Sequence, residues 1–291
     1  MPISFSHDRG GPMAPSVYDL AVALTAMAGI DANDQITRLS IGHASPVPYE
    51  SYLKPGALKG KRLGVLRDLF KTGPDYEPYN KLILDAVDAM KKEGAIVIDP
   101  VSSGTDLFAM TQGQSLGNYE YKFAFDAYLA ARGPGQPFYS LKDLLASGKF
   151  HERLKKNYTD SEAAVPMELS AEYAGKYRNR AILKKTLEEL LAKFDLDAFV
   201  YPVRSGPLPA AGTWPLPPGV TGQSVSDYCG LPAITVPAGF TADGTPEGIE
   251  FMGAAFEDAK LLLIAYGYEQ LSHLRKLPST TPPLPGERFD Y

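Results

Sequence analysis

Arg62-Leu63-Gly64-Val65-Leu66 is a short apolar run. Tyr79, Leu82, Ile83, Ala86, Val87 and Met90 follow at helical spacing, Gly94 closes the helix, and Ala95-Ile96-Val97-Ile98 is a second apolar run. Strand, amphipathic helix and strand in this order make a βαβ unit. Such a crossover builds parallel sheet with helices on its faces, so the expected fold class is α/β. Neither run alternates with polar residues, which predicts strands covered on both sides.

Working towards the N-terminus, Ser16 with Asp19 three residues on caps a helix whose apolar positions are Val17, Leu20, Ala21, Leu24 and Met27, with Gly29 as the stop. Towards the C-terminus, residues 105–132 and 168–194 carry long helical patterns, making 105–194 a helix-rich middle. Ala198 to Tyr201 is a buried-type strand ending in Pro202, and the Pro/Gly loop after it carries Trp214, the single tryptophan. Leu231–Phe240 and Gly248–Phe256 read as an antiparallel pair joined at Asp243-Gly244, so the sheet is mixed. A last helix is predicted over Asp258–Ser272, and 278–291 is a proline-rich tail. One domain over 1–291 accounts for the whole pattern.

Composition narrows the function. Apolar residues make up 44% and charged residues 22%, values of a soluble globular chain. The net charge of −5 comes without a block of like charge, so nucleic acid and anionic membrane are not expected partners, and a small neutral substrate is. One cysteine and four scattered histidines give neither a disulfide nor zinc spacing; no metal and no cofactor are expected. The start of the chain has no basic and apolar leader pattern, which points to the cytoplasm, and no apolar run is long enough to cross a bilayer.

Three small-residue clusters bear on nucleophilic chemistry. Gly113-Gln114-Ser115-Leu116-Gly117 matches the G-x-S-x-G elbow, which requires a strand before Ser115 and a later histidine such as His273; the flanks read as helix instead. Ser102-Ser103-Gly104 is expected to cap the helix after it, and Ser224 or Ser226 a short helix before Gly230. Cys229 needs a histidine from elsewhere in the fold to become a nucleophile, and a small buried thiol is the plainer reading. Glu120 with Lys122 is expected as a surface ion pair or a helix cap, and Asp8 with Arg9 as an anchor between the first loop and the helix beginning at Ser16.

Several segments in order resemble the amidase signature family of serine amide hydrolases. They are Gly11-Pro12-Met13-Ala14 with Ser16-Val17 and Asp19-Leu20; Lys59-Gly60 with Arg62-Leu63-Gly64-Val65-Leu66; and Leu196-Asp197-Ala198 with Tyr201-Pro202. Gly230-Leu231-Pro232-Ala233-Ile234-Thr235-Val236-Pro237-Ala238-Gly239 follows, then Gly244, Pro246, Gly248 and Gly253, and a closing helix with Leu261-Leu262, Ala265 and Tyr268-Glu269. The resemblance implies the hydrolysis of a carbon–nitrogen amide bond in a small carboxamide. It also implies a triad of a lysine, a serine at a cis peptide and a nucleophilic serine, placed before the segment that resembles Pro2–Asp8. No such Gly/Ser-rich run occurs in the 291 residues, so no catalytic residue carries over. The expectation is therefore an amidase-like core lacking its N-terminal part and inactive alone. Its pocket wall, from the family layout, would include Pro202, Ser205, Trp214 and Cys229, and its uncovered sheet would favour self-association. A non-catalytic binding or assembly module with the same fold is the alternative, and a serine hydrolase using Ser115 a third.

Overall fold

Strands buried on both faces organise the molecule. In the computed structural model, which describes residues 2–111, 113–204, 206, 207, 209, 212, 213, 225–277 and 284–286, one five-stranded sheet carries the fold. In chain order the elements are α1 (Val17–Met27), β1 (Arg62–Leu66), α2 (Glu77–Lys92), β2 (Ile96–Val101), α3 (Leu107–Thr111), α4 (Gly117–Ala131) and α5 (Leu141–Ser147). Then come α6 (Lys155–Glu162), α7 (Ala171–Lys193), β3 (Ala198–Pro202), α8 (Val225–Cys229), β4 (Ala233–Phe240), β5 (Pro246–Met252) and α9 (Asp258–Ser272). The spatial order is β2-β1-β3-β5-β4. β1 runs parallel to both β2 and β3, whereas β5 is antiparallel to β3 and to β4. The mixed α/β sheet expected from the sequence is thus the observed one.

Register decides which side chains share a face. Leu63 lies opposite Ala198 and Val65 opposite Val200, and all four enter one core with Ile83, Val87 and Met90 of α2 and Leu261, Ile264 and Ala265 of α9. The intervening residues Phe199 and Tyr201 point to the other face, where Leu183, Leu187 and Leu190 of α7 cover them. Gly64 sits opposite Phe199 and has no side chain for a physical reason: a Cβ there would lie 2.4 Å from Leu196 Cδ1. A third, smaller cluster of Tyr121, Phe125, Leu129, Leu141 and Leu144 belongs to α4 to α6.

Two expectations are corrected and one is borne out. β2, expected to be covered on both faces, is exposed at Ile96, Asp99 and Pro100, and it lies at the edge of the sheet among the described residues. Ser102 and Ser103 do not cap α3; both hydroxyls turn back to the Asp68 carboxylate, and Asp106 takes the amide of Ala109 at 3.0 Å instead. Leu107–Thr111 is helix, as the flanks of Ser115 read in the sequence, so Ser115 stands between two helices and the strand that the elbow alternative required is absent. No helix among the described residues is long and apolar enough to span a membrane.

Candidate functional site

The site forms where the first nine residues cross the ends of α4, α7 and α8. Glu120 anchors them. It is 1% exposed, and its carboxylate accepts from Ser4 Oγ, from Ser6 Oγ at 2.8 Å, from the Ser6 amide at 3.1 Å and from Tyr173 Oη of α7 at 2.7 Å. Burial works against its charge, but those hydrogen bonds outweigh it and hold the carboxyl below its ordinary value. The sequence expectation of a surface pair with Lys122 is therefore wrong. Lys122 pairs with Glu162 at 2.7 Å, and Glu120 is the internal post on which residues 4–6 hang.

Two arginines then join that segment to α8. Arg180 of α7 donates from Nε to the Tyr228 carbonyl at 2.8 Å and from a terminal nitrogen to the Ser6 carbonyl at 3.2 Å. Arg9 donates to the carbonyl of His7 at 3.0 Å and to that of Asp227 at 2.5 Å, and its other terminal nitrogen lies 3.5 Å from the Asp227 carboxylate. Arg9 therefore reaches α8, not the helix at Ser16 as expected, and Asp8 turns back to the Ile3 amide at 2.6 Å. At the base of α8, Ser226 Oγ and Tyr201 Oη both donate to Glu250 Oε1, at 3.0 and 2.6 Å. Burial pushes the Glu250 carboxyl up, with those donors opposing the shift.

This scaffold encloses an open cavity of about 780 Å³ lined by Ile3, His7, Asp8, Arg9, Asp34 and Tyr228. The volume lies within the range of small-molecule sites. Burial, then the charges of Arg180 and Arg9, push the imidazole of His7 down to about 4, so it stands neutral near pH 7. Its ring meets Tyr228 edge-on at 5.3 Å, and its Nε2 has no hydrogen-bond partner. A neutral imidazole, the three carboxylates of Asp8, Asp34 and Asp227 and a guanidinium can orient a polar neutral group by hydrogen bonds. A second cavity of about 560 Å³ adjoins the first through Asp8 and Arg9 and runs along α7 beneath Ile36 and Leu39.

Of the wall residues expected from the sequence, Pro202 closes β3, buried and paired with Ile249, and Cys229 lines the second cavity. Ser205 and Trp214 lie outside the described residues. Burial pushes the Cys229 thiol up to about 11, and its Sγ donates to the Ser226 carbonyl at 3.5 Å, so at neutral pH it is a thiol and not a thiolate. Sequence reasoning missed Glu120, Arg180 and Tyr228. Glu120 could have been suspected as a charge on an otherwise apolar helical face, whereas nothing in the local pattern marks Arg180, whose partners are 48 and 174 residues away. Among the described residues no group of three or more His, Cys, Asp or Glu side chains is placed to hold a metal ion.

Likeness to known proteins extends well beyond the site. The amidase family profile matches residues 1–262. The chain belongs to the amidase family. A protein of Arabidopsis thaliana described as a probable amidase is 28% identical over 96% of this chain and 51% of its own length. One component of the glutamyl-tRNA(Gln) amidotransferase of Ralstonia pickettii is 26% identical over 91% of this chain and 57% of its own. The native peptide amidase of Stenotrophomonas maltophilia superposes with a TM-score of 0.78 at 31% identity, over 94% of this chain and 55% of that one. The chain thus spans about half the length of the relatives it matches. Its fold is that of the amidase signature structures.

Proposed function

We propose that this amidase-family chain forms one wall of a site that hydrolyses the carbon–nitrogen bond of a small carboxamide, and that it does not cleave amides by itself. Amide hydrolysis needs an activated nucleophile, a proton relay to the leaving amine and donors for the developing oxyanion. The observation that carries the reading is the commitment of the site's own hydroxyls. Ser4 and Ser6 both donate to Glu120, and Ser226 donates to Glu250, so each of these serines is held by a carboxylate that also takes other donors. They brace the segment and α8. The cavity beside them offers a neutral imidazole, carboxylates and a guanidinium suited to holding an uncharged amide. In this reading Pro202, Ser205, Trp214 and Cys229 belong to the pocket wall, no cofactor takes part, the protein works in the cytoplasm, and the lysine and the two serines of the family's triad come from outside these 291 residues. Of the twenty exposed large apolar side chains among the described residues, eleven lie between Ile3 and Val47, and three of these, Ile3, Ile36 and Leu39, line the two cavities.

The test is made on native protein from the source cells, with intact mass and amide hydrolysis measured on the same chromatographic fractions. The reading expects hydrolysis only in fractions where this sequence occurs together with a Gly/Ser-rich segment of the family type. Hydrolysis by a species of 31.5 kDa alone would overturn it. So would native fractions that hold the protein and never hydrolyse an amide, which would favour the binding-module reading.

A further inference from the structure

The helices between residues 117 and 162 form a body of their own. α4, α5 and α6 pack chiefly on one another. Their apolar cluster of Tyr121, Phe125, Leu129, Leu141 and Leu144 is extended by Phe138, Phe150 and Tyr158, all from this stretch, and neither cluster that flanks the sheet takes a residue from it. Lys122 of α4 and Glu162 of α6 close the body with an ion pair at 2.7 Å. The chain enters it past Gly113, whose φ of +65° and open surroundings suit a turn, and leaves through Ala163-Ala164-Val165-Pro166 and the 3₁₀ turn Met167–Leu169.

What joins this body to the rest is largely polar. Glu120, buried near the start of α4, accepts from Ser4, twice from Ser6 and from Tyr173 of α7. Beside it the Tyr119 ring meets that of Tyr173 at 5.8 Å and lies under the Lys176 ammonium at 5.2 Å. Just ahead of α4, Gln114 accepts from Asn179 of α7 at 3.2 Å. Two bodies with separate apolar cores and a polar contact between them open at lower cost than either core unfolds, so motion at the contact is the expected behaviour.

The wall of the first cavity hangs on the same carboxylate. His7 donates its amide to Ser4 Oγ at 3.1 Å, and Ile3, His7, Asp8 and Arg9, which flank the two serines in sequence, line the cavity of about 780 Å³. Withdrawing Glu120 takes the acceptor from both serines and leaves this segment tied to α7 and α8 through Arg180 and Arg9.

We propose that α4–α6 is a cap that swings on the rest of the molecule as one unit with Glu120 as its latch, and that each opening loosens the wall formed by residues 3–9 and admits the ligand to the cavity. This goes beyond the functional reading and holds for whatever the cavity takes. Hydrogen exchange of the folded 291-residue chain tests it, read by peptide mass spectrometry as protection factors in the wild type, in Glu120→Gln and in Tyr173→Phe.

In the wild type the amides of α4, α5 and α6 are expected to share one protection level, about tenfold or more below that of β1, β3 and α2. Both substitutions are expected to lower protection in residues 3–9 and in α4–α6 together, Glu120→Gln by about tenfold and Tyr173→Phe by less, with β1, β3 and α2 unchanged. Cap amides as protected as the strands would show a single body and overturn the proposal. So would a loss confined to residues 3–9, an equal loss throughout the molecule, or no change in either variant. Should Glu120→Gln fail to fold, the wild type and Tyr173→Phe decide by the same criteria.

Discussion

Single buried carboxylates set much of how this molecule responds to pH. Glu247 in β5 is 2% exposed, accepts the Arg204 amide at 3.2 Å through Oε1, and has no partner for Oε2. Burial pushes its carboxyl up to about 7, against the pull of the Arg204 amide and charge. A group whose folded pKa lies above its unfolded value of 4.5 holds its proton more tightly when folded, so its contribution is present below about pH 4.5 and is lost as pH rises through 7. Glu247→Gln keeps the shape and removes the charge. The variant is expected to match the wild type near pH 3.5 and to exceed it by about 3 kcal/mol at pH 8, since the folded carboxyl titrates near 7 against 4.5 unfolded; urea unfolding at the two pH values checks this. His7 acts in the opposite direction. Its folded pKa lies below its unfolded value, so stability falls as pH drops from 6.5 towards 4. None of these roles was legible in the sequence. A glutamate in an apolar strand reads as an alternation or an edge position until the sheet shows which face is covered. Glu120 was misread for the related reason that its partners, Ser4 and Ser6, lie more than a hundred residues away.

At the scale of elements the sequence was far more informative, because periodicity and caps are local. The α1 helix begins at Val17 with Ser16 accepting the Asp19 amide, and α9 spans Asp258–Ser272, both as the spacing implies. The Asp243-Gly244 turn joins β4 to β5, with Gly244 at φ +84°. What local pattern could not supply was each strand's place in the order or how far helices cover it, and β2, read as covered on both faces, is exposed at Ile96, Asp99 and Pro100. The tightest packing in the parallel part is at β1, where Gly64 faces Leu196 and Val101. Gly64→Ala places a methyl 2.4 Å from Leu196 Cδ1 and 3.0 Å from Val101 Cγ2, so one of them must move. The expected loss is about 1–3 kcal/mol, the usual range for overpacking a core. Because Leu196 makes the closest contact, Leu196→Ala in the same chain should recover part of the loss. A double-mutant cycle by thermal unfolding reads this coupling, and strictly additive losses would show that the contact is not the cause.

For the molecule as a whole, two hydrophobic clusters sandwich one mixed sheet, and a third packs the helical middle from α4 to α6. The amidase resemblance was visible in ordered short segments, each weak alone and specific together, and the family match over residues 1–262 spans most of the same regions. The three-dimensional site was not visible in that order. It depends on Arg180, Arg9 and Glu120 tying the first nine residues to α7 and α8, contacts that only the folded chain brings together. The central claim is that the scaffold shapes and lines a carboxamide site while its own serines are braced against carboxylates and do no chemistry. The most direct test is ammonia release from phenylacetamide by the purified, folded 291-residue chain at pH 7.5. No release above the buffer rate is predicted. Steady release that disappears in Ser4→Ala, Ser6→Ala, Ser115→Ala or Ser226→Ala would contradict the claim and place the nucleophile within this chain.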